Sequence, residues 1–196
     1  MSDVRGACAL YYSYQVRGAD GQIKVPFRRR TCHSFVIAYI TFLYINIIGA
    51  ASQSLTDTGG TPRTVDVDPT DDLDIDVAAA TTTHGLVVGT GTTAEAFTQT
   101  ALTTLIAHGT GAGQLTYGAS VVNLPSSDST STTLQLTRTF SNASGGTVTV
   151  QEIAIYAQRE DSAGTDRNFC LARDLATIAL SNGDQLTLNY ILKTTA

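Results

Sequence analysis

The sequence predicts a mainly β protein: a jelly-roll-like β-sandwich with an N-terminal extended arm and one apolar element, a helix or a long strand. Three observations predict it. The 196 residues are 42% hydrophobic and only 15% charged, which suits a chain with a real buried core. Thr, Val and Leu gather in short runs interrupted by Gly, Asn, Asp and Ser, the pattern of many strands joined by turns. Finally, apolar and polar side chains alternate along residues 132–140 (TTLQLTRTF), 147–157 (TVTVQEIAIYA) and 185–192 (QLTLNYIL). That period of two turns one strand face to a core and the other outward.

Four segments follow from the pattern. Residues 1–34 read as a basic arm with a hairpin: 10–16 (LYYSYQV) is a strand, Gly18-Ala19-Asp20-Gly21 a turn, and 23–27 the returning strand. Pro26 cannot donate to a ladder, so that second strand belongs at an edge. Residues 35–51 (FVIAYITFLYINIIGAA) form an apolar element, and residues 52–63 (SQSLTDTGGTPR) a turn-rich linker. Residues 64–196 form the sandwich domain. Its expected strands are 64–67, 73–78, 85–89 (GLVVG), 121–124 and the three alternating runs, with 169–175 and 176–180 between them. Residues 102–106 pair with 115–117 or make a helical turn, and Ser181-Asn182-Gly183-Asp184 is a hairpin turn. No internal repeat of fixed period is evident.

Charge is divided along the chain. Residues 1–34 hold six Lys/Arg against two Asp, while the remainder holds six against fifteen acids. A basic arm on an acidic body points to head-to-tail contact between copies. Nucleic acid is the other partner such an arm suggests, but only Arg28, Arg29 and Arg30 are dense enough to follow phosphates. The apolar run after them has the outline of an anchor or signal. It is at the lower limit of a membrane span, however, and carries Asn46 in its deeper half. Burial by other subunits is the preferred reading, so Arg28, Arg29, Arg30, Phe35, Ile40, Phe42, Leu43 and Ile47 are expected at an oligomer interface, with neither membrane nor nucleic acid as partner. On this reading residues 64–196 stay folded and monomeric once 1–51 are removed.

Candidate chemistry is thin. Asp66, Asp68, Asp72 and Asp74 are the candidate Ca²⁺ ligands, yet the stretch DVDPTDDLDID lacks the Gly and closing Glu of an EF-hand loop. Alternation of Asp with Leu73, Ile75 and Val77 fits an acidic strand face better, and neither metal nor cofactor is expected. Gly89-Thr90-Gly91-Thr92-Thr93 resembles a phosphate loop without its Gly-Lys-Ser/Thr ending. His84 and His108 have no ligand at metal spacing, and Glu152 reads as an ion-pair partner of Arg173 or Arg138. Cys8, Cys32 and Cys170 read as small apolar side chains kept reduced, with a Cys8–Cys32 bridge as the alternative. No nucleophile motif is present, so the chain is expected not to be an enzyme.

Several stretches together resemble structural proteins of tailed-bacteriophage particles, a tail-associated or fibre-like β-domain family. They are Arg29-Arg30 with Ser34-Phe35, Asp57-Thr58-Gly59-Gly60-Thr61, GLVVGTGTTA from Gly85, and IAHGTGAGQLTY from Ile106. Further on come Arg138-x-Phe140-x-Asn142, Val150 to Tyr156, Leu171-Ala172-Arg173-Asp174 and Gly183-Asp184-Gln185-Leu186-Thr187-Leu188. The resemblance spans residues 28–196 and rests on turns and strand alternation. It implies a multi-copy virion protein, assembled in the host cytoplasm, that packs on itself and on other virion proteins without catalysis. The expected place is the tail apparatus (fibre, baseplate or adaptor). Capsid decoration, a head-tail connector, or a subunit of an extracellular filament or adhesin are the alternatives.

Overall fold

A computed structural model describes residues 8–32, 36–48, 52–66 and 73–195. The protein is mainly β, as expected, with antiparallel sheets and, among the described residues, one short helix. In chain order the elements are β1 (Cys8–Arg17), β2 (Ile23–Thr31), α1 (Ile37–Ile48), β3 (Gln53–Thr56), β4 (Pro62–Val65) and β5 (Gly85–Gly89). There follow β6 (Thr116–Val122), β7 (Ser126–Ser127), β8 (Ser131–Ser141), β9 (Val148–Glu160), β10 (Asp166–Leu180) and β11 (Gln185–Thr195). The large sheet runs β2-β1-β11-β8-β6, with β7 added to β8, and the small sheet runs β10-β9-β5. Tyr12, Leu136, Phe140, Leu188 and Tyr190 of the large sheet and Val87, Ile153, Ile155 and Ile178 of the small sheet all belong to one buried hydrophobic core.

The alternating runs predicted at residues 132–140, 147–157 and 185–192 are β8, β9 and β11, each longer than its apolar core. One connection differs from expectation. Residues 181–184 do not close a hairpin, because β10 belongs to the small sheet and β11 to the large one. Residues 142–147 cross between the sheets in the same way. Both crossings meet at one corner, organised by Asn142, which is 1% exposed. Its side-chain amide donates to the Leu180 carbonyl at 2.7 Å and the Gly146 carbonyl at 2.8 Å. Its own backbone exchanges hydrogen bonds with Gly183 and Asp184. Lys24 closes the corner from the β1–β2 hairpin, with its ammonium 2.7 Å from the Asp184 carboxylate.

Residues 8–32 do hold an extended hairpin, but it is built into the large sheet rather than set apart as an arm. β1 pairs along its whole length with β11, from Cys8↔Thr194 to Arg17↔Gln185. Leu10, Tyr12, Tyr14 and Val16 all enter the core. A period of two with bulky apolar residues at every second place is a core strand wherever it sits in the chain. β2 is the edge strand, as Pro26 requires. The expected linker at 52–63 is likewise structured: β3 and β4 form a hairpin. The apolar element is the helix α1. Ala38, Phe42 and Ile45 are buried at helical spacing, and Phe42 meets Phe169 edge-on at 5.2 Å.

Two turns share one construction that the sequence also shows. Asp57-Thr58-Gly59-Gly60-Thr61-Pro62-Arg63 joins β3 to β4, and Asp161-Ser162-Ala163-Gly164-Thr165-Asp166-Arg167 joins β9 to β10. In each, the Asp accepts from the Thr N–H four residues on and from the Arg Nε six residues on, the latter at 2.8 Å. The Gly at the fourth place has φ of +81° or +72°, a conformation in which a Cβ is strained. The turns then clasp each other reciprocally: Thr58 N donates to Asn168 O, and Ser162 N donates to Thr64 O, both at 2.8 Å. Position for position these two bonds are the same, so each turn binds the other through equivalent residues.

Two outcomes follow for stability. Deleting residues 1–17 removes four core side chains worth about 1.5–3 kcal/mol each, against a total stability of roughly 5–15 kcal/mol. The expected result is loss of the cooperative thermal transition in circular dichroism, rather than the soluble sandwich anticipated from residues 64–196. The Asp57 and Asp161 carboxyls lie below the usual carboxylate range. At Asp57 burial opposes the shift, but the bonds from Arg63 and the Thr61 N–H outweigh it; at Asp161 the Arg167 bond dominates. Their contribution is full above the unfolded carboxylate value and is lost as pH falls through the lowered folded values. Melting temperature between pH 6 and pH 2 should therefore fall less steeply in D57N/D161N than in the parent, and equal slopes would discard the assignment.

Candidate assembly surface

The polar interior is built around Glu152 and Arg173. Both side chains are fully buried, and Arg173 Nη2 lies 2.7 Å from Glu152 Oε2. The remaining lone pairs of the carboxylate accept from backbone: Gly91 N and Thr104 N at 2.9 Å, and Thr103 N at 3.1 Å. Arg173 in turn donates to Gln99 Oε1 at 2.9 Å and to Thr93 O at 3.0 Å. Glu152 and Arg173 stand on the neighbouring strands β9 and β10, and the backbone and side-chain partners just named belong to residues 90–104. Thr90 N donates to Thr104 O, closing that loop at its neck. The resemblance of GTGTT to a phosphate loop now has a physical reading. One of its N–H groups, that of Gly91, joins those of Thr103 and Thr104 in an anion nest, and the anion is the protein's own Glu152. A Cβ on Gly91 would collide with that carboxylate, so only glycine lets the loop close on it.

Glu152 thus pairs with Arg173, one of the two partners the sequence suggested, and Arg138 does something else. Its guanidinium donates to the carbonyls of Leu86 (2.7 Å), Gly118 (2.8 Å) and Thr81 (2.6 Å) and stacks over Tyr117 at 4.9 Å. Arg138 therefore ties β8 to the segment leading into β5. Asp174 accepts from the Tyr190 hydroxyl at 2.9 Å, inside the core. Cys32 and Cys170 are free thiols, and burial pushes Cys170 up to about 12 and Cys32 higher still. Such thiols stay protonated and act as small apolar groups.

The other sequence candidates are scattered. Of the Ca²⁺ candidates, Asp68 and Asp72 lie outside the described residues. The Asp66 carbonyl accepts from Arg159, and Asp74 lies 3.7 Å from His84. Burial lowers the His84 imidazole, with Asp74 opposing. His108 accepts from Tyr117 N at 3.1 Å. Among the described residues, no group of three or more His, Cys, Asp or Glu could hold a metal ion. Nor, among the described residues, is any helix long and apolar enough to cross a membrane.

Of the expected interface residues, Phe35 and the Ile47 side chain lie outside the described residues, and Phe42 requires correction. Its ring is 0% exposed, held by Phe169 and by the Arg159 guanidinium 5.3 Å away, so the chain's own core uses it. Ile40 is 53% exposed and Leu43 41%, and Ile37 and Tyr44 continue the same face. Phe97 extends this surface, being 68% exposed while its carbonyl accepts from Ile37 N at 2.9 Å. A cleft of about 490 Å³ opens beside it, between α1, β3 and residues 98–100. Arg28, Arg29 and Arg30 are exposed on β2, with Arg29 over the Tyr11 ring and Arg30 over Tyr14.

Compared with protein-family models, curated proteins and solved structures, the chain matches none. What the sequence reading missed is the pair of Asp-x-x-Gly-Thr-x-Arg turns and the role of Gly91. The first was open to a self-comparison of the sequence. The second was not, since the carboxylate that fills the nest lies 61 residues away.

Removing Glu152 leaves a buried, uncompensated guanidinium. E152A should lose about 3–5 kcal/mol of unfolding free energy in urea titration. E152Q, which retains an acceptor, should lose less. Equal losses would show that the charge, which both variants remove, holds the loop, and that the retained volume and acceptor contribute nothing.

Proposed function

We propose that this chain is a structural component of a tailed-bacteriophage particle, in the tail apparatus as a fibre, baseplate or adaptor protein. It acts by homo-oligomerisation and by packing on other virion proteins. The observation that carries the reading is the two-faced helix α1. Its inner face closes the chain's own core, while Ile37, Ile40, Leu43 and Tyr44 form an apolar stripe left in water beside Phe97. A contiguous apolar surface of this kind on a folded protein is an association surface. The family-like stretches support the same reading: Arg138, Asn142, Glu152 and Arg173 each bind backbone and stiffen the sandwich. A particle subunit benefits from such rigidity, because it lets weak single contacts add across many copies.

Light scattering with negative-stain imaging, in detergent-free buffer, tests the proposal. The expected result is a discrete oligomer or closed ring, which I40E/L43E converts to monomer with at least a tenfold weaker association constant. An open-ended fibre would favour a filament subunit. A parent protein that stays monomeric at every concentration would end the assembly reading.

A further inference from the structure

We infer that the edge strand β2 is a docking surface for a second copy of this chain, its arginines receiving the acidic end of the neighbour's small sheet. The inference rests on the assembly reading above and names a contact within it that α1 does not provide.

The arginines divide into two groups by what they touch. All five arginines after residue 34 work inside the fold. Arg63 and Arg167 close the twin turns, Arg173 meets Glu152, and Arg138 and Arg159 donate to carbonyls. Among the described residues, the exposed carboxylates Glu160 and Asp166 of the body have none of these arginines at ion-pair distance. Arg28, Arg29 and Arg30 are the reverse case. They are exposed, project alternately from the two faces of β2, and among the described residues face no carboxylate at ion-pair distance. Tyr11 and Tyr14 lie under Arg29 and Arg30, so two of the three guanidinium groups rest against rings rather than moving freely.

The complementary surface is built at the far end of β9 and β10. Asp166 is directly opposite Glu160 in the register, and both are exposed. Like charges facing each other across a strand pair are destabilising, a cost that an external cation relieves. Asp74 joins them, because it bridges to Gln158 on β9. Neither Glu160 nor Asp166 meets a cation at ion-pair distance among the described residues, and Asp74 meets only His84, whose imidazole burial keeps toward the neutral form.

The two surfaces belong to different parts of one molecule. β2 is one edge of the large sheet, and the segment carrying Asp74 is tied through Val77 to β6 at the other edge. Four strand spacings separate those edges, about 19 Å. A contact joining unlike surfaces is heterologous, and repeated it generates a ring or an open stack. The open backbone edge of β2 carries Pro26 as well as its charges, which guards it against indiscriminate strand addition and leaves charge to select the partner.

The test uses the full chain and two triple variants, R28E/R29E/R30E and D74K/E160K/D166K, read by sedimentation velocity. Parent self-association should weaken at least tenfold between 50 and 500 mM NaCl, as screening shortens the reach of the charges. Each variant alone should fail to make the contact, while an equimolar mixture should restore it, since the mixture again places acid against base. Restoration also shows that both variants are folded. Salt-insensitive association, variants that assemble like the parent, or a mixture no better than either alone would overturn the inference. So would loss of oligonucleotide binding in the arginine variant with self-association unchanged, which would make nucleic acid the occupant. Association that resists salt but is abolished by I40E/L43E leaves the assembly reading standing and removes this one. A parent that never associates removes both.

Discussion

The ion pair between Glu152 and Arg173 is the constraint on which the exposed surface depends. Two charges fully removed from water are tolerated only when their remaining lone pairs and protons are satisfied, and here residues 90–104 supply the partners. The loop is consequently held against the small sheet by charge-assisted hydrogen bonds rather than by regular secondary structure. From that loop Glu95 reaches the Leu175 N–H at 2.7 Å, and the Phe97 carbonyl receives the Ile37 N–H at the start of α1. The helix and its apolar stripe are thus positioned through a network that begins at a buried carboxylate. Packing against Phe169 sets which face of the helix turns inward, and the loop fixes one end.

A second organising feature is the way the chain crosses between sheets. β8 leads to β9 and β10 leads to β11 across the sandwich, so four consecutive long strands alternate large, small, small, large. Such crossings leave backbone groups without ladder partners at the corner, and Asn142 satisfies them from within. The N-terminal hairpin completes this corner through Lys24 and Asp184, and it completes the large sheet through β1. The first strand of the chain is therefore among the last that the core can do without.

Internal use of arginine links stability to surface character. Each body arginine satisfies carbonyls or a carboxylate inside the fold, so the acids left outside define the surface. The twin Asp-x-x-Gly-Thr-x-Arg turns show this economy twice, with the same three side chains and a reciprocal clasp. Their reciprocal bonds also tie the hairpin of β3 and β4 to the tip of β9 and β10. The partner for its turn is a copy of the same turn, built into the tip of β9 and β10.

Local chemistry by itself determined a good deal of this protein. Period-two alternation located β8, β9 and β11, Pro26 located an edge, and Glu152 beside distant arginines announced an ion pair. These features are set by side-chain periodicity and backbone sterics, which act over a few residues. Tertiary structure alone decided the rest. It made α1 a helix with Phe42 inside and Ile40 outside, because an apolar run has no face until something packs against it. It decided that residues 181–184 cross between sheets instead of closing a hairpin, since the same turn residues serve either connection. The same held for Gly91, whose N–H meets an anion that arrives from a strand far along the chain. Where the outcome depends on which distant group fills a space or takes a charge, neighbours in sequence carry no record of it.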